Sequence, residues 1–575
     1  MRMLLELVRR FVLPQKGLLI AVVLLQIAQI LATLWLPTLN ASVIDDGVAH
    51  GDVGLVWRLG GLMLAVTLGQ VSANVAAVIV GAVVAMRAAR SLRSGVYDSV
   101  MGFGSAETSA FGSSSLITRA TNDVRQVQML IVMTLTMVVM APFMALGGLV
   151  MALSQDLGLS LVILATVAVL IVVLVLIIRR MVPSFAVMQE RIDAVTSVVS
   201  QQLSGLRVIR AFTAEHRERA RFTAVNGGLT AASLSVGRWF VVLFPAVMGI
   251  VSLGSVAVVG FGGIRVDAGG IDVGVVLAFV QYLMLILMGV TFVAFIGMMI
   301  PRAEVSAGRL VEVLDQEVAI DSESGTVSAV PRPGALDLHA VGYRYPGAEE
   351  PVLQDVTAHV SPGEMLAVIG ATGSGKTTLA QLVLRLLEPT SGTVEVGGVD
   401  VSALSPAAYG SQFAYVPQTP QVLGRSIADN LRLGAPEATD AEIREALVAA
   451  QAWEFVSQLP EGADTVLTQG GRDLSGGQRQ RIAIAMALVR KAPVLVLDDS
   501  LSALDTRTDA AVRRALRQVD STVLLITQRV SAAEGADRIL VLDAGRPVGL
   551  GTHEDLMAAS GVYAEIVASQ TGAAA

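Results

Sequence analysis

The stretch Gly370-Ala371-Thr372-Gly373-Ser374-Gly375-Lys376-Thr377 decides the fold of the C-terminal half of this chain. An apolar run at 366–369 precedes it and a helix-forming stretch opens at Thr378, the strand–loop–helix setting that a phosphate-binding loop requires. Its glycines let backbone N–H groups wrap phosphates, and the following helix N-terminus adds positive potential. Lys376 is placed to meet the β- and γ-phosphates of ATP, and the Thr377 hydroxyl to ligate magnesium. Around this loop, short β-branched strands alternate with helical stretches, the pattern of an α/β domain.

A matching carboxylate lies downstream. Val494-Leu495-Val496-Leu497-Asp498 reads as a buried strand that delivers Asp498 to the metal. Between loop and strand lies Leu474-Ser475-Gly476-Gly477-Gln478-Arg479-Gln480-Arg481. With this run the chain resembles the ATP-binding-cassette (ABC) ATPases, whose signature is Leu-Ser-Gly-Gly-Gln and whose motifs come in this order. The resemblance implies further roles. Tyr345, in Tyr343-Arg344-Tyr345-Pro346, resembles the aromatic that stacks on adenine, with an ordinary strand tyrosine as the alternative. Gln418, in Tyr415-Val416-Pro417-Gln418, looks like the glutamine that links magnesium to the membrane domain. Asp505, closing Ser502-Ala503-Leu504-Asp505, looks like part of the loop that communicates across a cassette dimer.

The bulk composition requires a second, different half. Of 575 residues, 53% are apolar and 15% charged. The mean hydropathy of +0.66 is too high for a soluble protein, and the charge too plentiful for a wholly buried membrane bundle. A net charge of −7 gives no reason to expect nucleic-acid binding. The absence of cysteine excludes disulfides, thiolate metal sites and cysteine nucleophiles. Residues 1–16 are basic and lack a small-residue cleavage site, so they are expected to form a cytoplasmic lead-in rather than a signal peptide.

Apolar runs of roughly 20 residues, the length that spans a bilayer, occur at 17–39, 62–84, 130–153, 157–178, 240–261 and 273–300. The long connections at 85–129 and 179–239 are polar and helix-friendly, as expected of helices that continue past the bilayer into water. Arg2, Arg9, Arg10 and Lys16 precede the first span, Arg87, Arg90 and Arg93 follow the second, and Arg179 and Arg180 follow the fourth. The opposite loops carry Asp45, Asp46, Asp52 and Asp156, with Arg265 the main exception. Both termini and the long connections are therefore expected in the cytoplasm of a multi-pass plasma-membrane protein. Within the spans, Gln26 and Gln29 share a helix face, as do Gln70 and Asn74. They predict interhelical hydrogen bonds or a polar cavity lining, the former favoured.

The expected domains are a six-span membrane domain at 1–315, an acidic, Ser/Pro/Gly-rich linker at 316–334 and an ATP-binding cassette at 335–575. Arg119-Ala120-Thr121-Asn122-Asp123-Val124 and Leu206-Arg207-Val208-Ile209-Arg210-Ala211-Phe212 resemble cytoplasmic elements of ABC exporters. The resemblance covers nearly the whole chain and implies a half-transporter of the exporter fold.

Two positions depart from the family pattern. Asp499 stands where such ATPases place a glutamate base, and Gln528, in Thr527-Gln528-Arg529, where they carry a histidine. Aspartate is one methylene shorter, so its oxygen retracts by ~1.5 Å. A general base must sit about 2.6–3.2 Å from the water it activates, and a misplacement near 1 Å costs around a hundredfold. Gln469, before the signature, stands where relatives often carry glutamate. In the family, the phosphate loop of one cassette and the signature of the other enclose each ATP. This chain's own site is thus expected to bind ATP and magnesium but hydrolyse poorly. Its intact signature, Leu474 to Gln478, would complete a competent site on a different half-transporter. The expected activity is ATP-driven export or flipping of a hydrophobic or amphipathic compound. The alternatives are a homodimer with slow hydrolysis, import of a siderophore or lipid-like substrate, and an ATP-gated regulator or channel. Six spans and a single cassette argue against a soluble ABC ATPase acting on ribosomes or DNA.

Overall fold

The computed structural model describes residues 2–318 and 325–571. Of the expected linker at 316–334, residues 319–324 lie outside the described residues. The chain separates into two compact units, one of Met1–Met101 with Ser113–Gln316 and one of Gly102–Gly112 with Glu317–Ala575.

Among the described residues, six helices are long and apolar enough to cross a membrane. They are Arg2–Val48, Val53–Gly102, Ser113–Gln155, Leu157–Ser204 and Glu215–Asp267, followed by Val273–Leu314. Each contains one of the apolar runs read from the sequence. The second has 50 residues, about 75 Å at 1.5 Å per residue, against a hydrocarbon core of about 30 Å. The surplus is the polar helix expected to continue into water. In the first, Pro14 sits in a 3₁₀ turn, Leu13–Gln15, and a new helix starts at Lys16, because proline withholds the N–H that would continue the ladder.

Polar groups inside this unit pair with neighbouring helices. Gln26 donates to the Leu135 carbonyl, Gln70 to Thr33 Oγ1 at 2.9 Å, and Gln29 reaches Met140 Sδ at 3.7 Å. Interhelical bonding is therefore what these glutamines do, while Asn74 is exposed. The charge exception also has a structural reason. Arg265 pairs with Asp156 at 2.7 Å, and Asp156 itself caps the fourth helix by accepting from Leu159 N at 2.8 Å. Asp45 accepts from the Gly274 amide at 2.6 Å, tying the end of the first helix to the start of the sixth. Near the other end, Arg119 donates to the Arg309 carbonyl and pairs with Glu312, both at 2.8 Å. The nearly buried Asp123 accepts from Ser306 Oγ at 2.9 Å.

The second unit holds two sheets. Strands β1 (Leu336–Tyr343), β2 (Leu353–Val360), β4 (Ser391–Val396) and β5 (Val399–Asp400) form an antiparallel sheet in the order β2-β1-β4-β5. The other sheet runs β10-β9-β3-β8-β7-β6, from β3 (Met365–Gly370), β6 (Phe413–Val416), β7 (Val494–Asp498), β8 (Thr522–Ile526), β9 (Arg538–Asp543) and β10 (Arg546–Gly551). Strands β3, β6, β7, β8 and β9 are mutually parallel. Parallel strands are covered on both faces and so read as continuous apolar runs. Val494 and Val496 pack with Leu366, Val368 and Leu379 on one side, and Leu495 and Leu497 with Ile482 and Leu447 on the other.

Candidate nucleotide site

Parallel strands end on the same edge of their sheet, and that edge collects the chemistry. Val368 of β3 is level with Ile526 of β8, Ile526 with Asp498 of β7, and Leu497 with Val416 of β6. The phosphate loop, the Asp498-Asp499 pair, Thr527-Gln528 and Gln418 thus leave the sheet side by side. Ligands of open α/β sheets bind at such a carboxyl edge.

The loop turns on glycines whose φ angles are positive, +85° at Gly373 and +94° at Gly375. At Gly375 a Cβ would also come within 2.6 Å of Leu353 Cδ2, so both conformation and space demand glycine. The helix Lys376–Val383 begins there. Lys376 Nζ donates to the carbonyls of Gly370 at 2.9 Å and Ala371 at 2.7 Å, and lies 3.4 Å from Ser374 Oγ. Burial lowers its pKa, opposed by the negative charges of Asp499 and Asp498.

Beside it, Thr377 Oγ1 donates to Asp498 Oδ1 at 3.0 Å. Asp498 is 1% exposed. Burial raises its pKa, against the Thr377 hydrogen bond and with the charge of Asp499 adding to the rise. The Tyr415 phenol next to it is pushed up to about 12 by burial first and by Asp498 second. A hydroxyl and a carboxylate side by side are hard oxygen donors suited to magnesium. Among the described residues no group of three or more His, Cys, Asp or Glu could hold a metal alone, as fits an ion that shares its shell with phosphates and water. Thr378, buried, has its hydroxyl 3.3 Å from Tyr345 OH. Tyr345 is 39% exposed and stands edge-on to Tyr343, with ring centroids 4.9 Å apart. An open aromatic face beside the phosphate loop is what stacking on a purine needs.

The transmembrane region of ABC transporters matches residues 19–290, and the ABC transporter ATP-binding domain matches residues 353–502. The chain is 42% identical to an uncharacterized ABC transporter ATP-binding protein of Mycobacterium tuberculosis, over 99% of this chain and 98% of that one. This chain belongs to the ABC transporter family. It is 31% identical to an ATP-dependent lipid A-core flippase of Thiobacillus denitrificans, over 93% of each chain. In fold it is similar to a bacterial Atm1-family ABC exporter solved with ATP bound, with a TM-score of 0.79, 24% identity and 98% of each chain covered. It is a multi-pass inner-membrane protein with a cytoplasmic cassette.

In this ABC transporter the two departing residues lie among the intact ones. Asp499 has φ +45°, the left-handed region that aspartate tolerates better than most residues. Its Oδ2 lies 3.5 Å from Gln418 Nε2. Burial raises its pKa, opposed by the Gln418 hydrogen bond and the charges of Lys376 and Arg529. Gln528 is exposed, and its Oε1 accepts from the Thr372 hydroxyl at 3.3 Å. Arg529 donates to the Ser502 carbonyl at 2.7 Å.

The signature of this ABC transporter opens the helix Gly476–Leu488. Ser475 caps it, accepting from Gln478 N at 3.2 Å while Gln478 Oε1 accepts from Ser475 N at 2.8 Å. Leu474 anchors the turn in the core, Ser475 and Gly476 are exposed, and Gly477 is half-buried, so the capped helix N-terminus faces outward. Gln469 is exposed just before it. Asp505 spends its carboxylate as the N-cap of Thr506–Leu516, accepting from Arg507 N at 3.1 Å and Thr508 N at 3.0 Å. Sequence reasoning missed one residue. Gln570, in the last helix, donates to the Gln528 carbonyl at 2.6 Å and accepts from Val530 N at 2.9 Å. A lone exposed glutamine near the end of the last helix carries no motif that points to it.

Proposed function

We propose that this chain is the hydrolysis-impaired half of a heterodimeric ABC exporter. The observation that carries the reading is an uneven site. Lys376, Thr377 and Asp498 lie in mutual reach, as a magnesium-nucleotide site requires, while the base position holds the short Asp499 and the switch position the neutral Gln528. In this reading Lys376 and the loop amides from Gly370 to Thr378 hold the phosphates. Tyr345 stacks on adenine, and Thr377, Gln418 and Asp498 hold magnesium. Leu474, Ser475, Gly476, Gly477 and Gln478 close over ATP bound to the partner chain, and Asp505 lies on the communicating loop. Magnesium supplies charge neutralisation at the β- and γ-phosphates. The residues of this chain bind and orient, and efficient hydrolysis falls to a partner with glutamate and histidine at the matching positions.

ATP-driven closure of the cassettes then switches the facing of the membrane helices, and hydrolysis at the partner's site resets them. A hydrophobic or amphipathic cargo suits the spans. An open groove of ≈ 750 Å³ on the first three membrane helices, lined by Leu31, Trp35, Val66, Gln70, Val150 and Met151, offers an apolar wall with one amide, a surface that suits a mostly apolar ligand. The relative from Thiobacillus denitrificans, an ATP-dependent lipid A-core flippase, supports an amphipathic substrate.

Native mass spectrometry of the tagged chain, gently extracted from its source membranes, tests the pairing. The expected mass is that of this chain with a different ABC half-transporter. A dimer of this chain alone would make Asp499 and Gln528 serve both sites and would overturn the division of labour.

A further inference from the structure

The segment Thr527-Gln528-Arg529 is held from three sides. Thr372 of the phosphate loop bonds the Gln528 side chain, Ser502 takes the Arg529 guanidinium, and Gln570 grips the backbone on both sides of Arg529. A carboxamide is one of the few side chains that donates and accepts at once, and here each half has a backbone partner in the same segment. Gln570 is exposed, but the helix that carries it is docked. Its helix, Gly561–Thr571, docks through the fully buried Tyr563 and through Val567 onto Ile369, Ala533 and Val541. Ile369 is the residue before the phosphate loop opens. The Tyr563 hydroxyl lies 2.7 Å from His553 Nδ1.

We propose that Gln570 is a positioning residue of the nucleotide site. Its carboxamide fixes the backbone at 528–530 so that the Gln528 amide stays on the phosphate loop, where it reads the γ-phosphate. The C-terminal helix thereby belongs to the machinery that distinguishes ATP from ADP. The inference rests on the assignment of Gln528 to the γ-phosphate position.

The test uses the full chain in its native membranes, with any partner present. This chain is photolabelled with radioactive 8-azido-ATP, and the label is displaced by magnesium-ATP or magnesium-ADP. Gln570→Met keeps the length and removes both hydrogen bonds. It should weaken displacement by ATP about fivefold and leave displacement by ADP unchanged. Gln570→Glu keeps only the acceptor toward Val530 N and should fall between. Equal loss for ATP and ADP would reduce Gln570 to a merely structural contact, and no loss for either would overturn the proposal outright. Gln528→Ala separates the premise from the inference. If Gln528→Ala leaves the ATP-to-ADP ratio intact, the γ-phosphate assignment is wrong and the inference falls with it. If Gln528→Ala collapses the ratio and Gln570→Met does not, only the role of Gln570 is refuted.

Discussion

The Thr372 hydroxyl donates to Gln528 Oε1 at 3.3 Å, joining the phosphate loop to the segment after β8 across 156 residues of chain. The bond places a neutral amide at the mouth of the site. A histidine there would change charge near neutral pH; a glutamine cannot, and offers a phosphate only a hydrogen bond. Together with a base position that is one methylene short, this underlies the proposed role of a site that holds ATP rather than consuming it in each cycle.

Lys376 is the residue whose loss should separate binding from turnover. Lys376→Ala removes the ammonium that now rests on the Gly370 and Ala371 carbonyls. Photolabelling of this chain by 8-azido-ATP should fall at least about tenfold, as expected for a charge-assisted contact worth more than ~1.4 kcal/mol. In the proposed asymmetric pair, phosphate release by the whole transporter should fall only in part, because the partner chain would keep its own phosphate loop. Complete loss of turnover would count against an asymmetric pair.

The residual hydrolysis that depends on Asp499 should have an acid limb at a higher pH than an ordinary aspartate gives. Its carboxyl pKa is raised, mainly by burial, and a base acts only when ionised. Protonation therefore sets in at a higher pH than for an ordinary aspartate near ~3.9, and the contribution declines as pH falls through that raised value. The difference in phosphate release between the parent and Asp499→Asn, followed from pH 8 downward, isolates it. A midpoint at or below the ordinary value would show that burial does not govern this group.

In the membrane unit, Asp123 should be a stability residue first. It is 2% exposed, accepts from Ser306 Oγ at 2.9 Å and lies 3.9 Å from Arg309. Asp123→Ala strands the buried hydroxyl and should cost about 1–3 kcal/mol, read as a lower Tm of the purified transporter. Asp123→Asn keeps an acceptor for Ser306 and should lose less. Equal losses would show that the ion pair with Arg309, not the Ser306 bond, holds the joint.

What the sequence made legible was local. The phosphate loop announces itself because strand, glycines, lysine and helix are contiguous, and the six spans because twenty apolar residues in a row have few other uses. The 494–498 strand was readable because a strand covered on both faces has no polar side to break its pattern. What escaped was long-range. Arg265 breaks the charge rule in sequence, and its partner Asp156 lies 109 positions earlier. The partners of Arg119 and Asp123 lie on the sixth helix, beyond any spacing argument. Gln570 meets Gln528 only because the last helix folds back beneath the phosphate-loop strand. Such pairs carry no periodicity, and a single sequence offers no signal for them.

The most direct test of the central claim compares two labels on this chain. Transporter in native membranes is given 8-azido-ATP carrying radioactive phosphorus at either the α or the γ position, allowed to turn over, washed and photolysed. If this site binds ATP without efficiently splitting it, the chain retains both labels in equal measure, and Asp499→Glu with Gln528→His loses the γ label while keeping the α label. Loss of the γ label from the unaltered chain, with the α label kept, would show a working catalytic site and contradict the account.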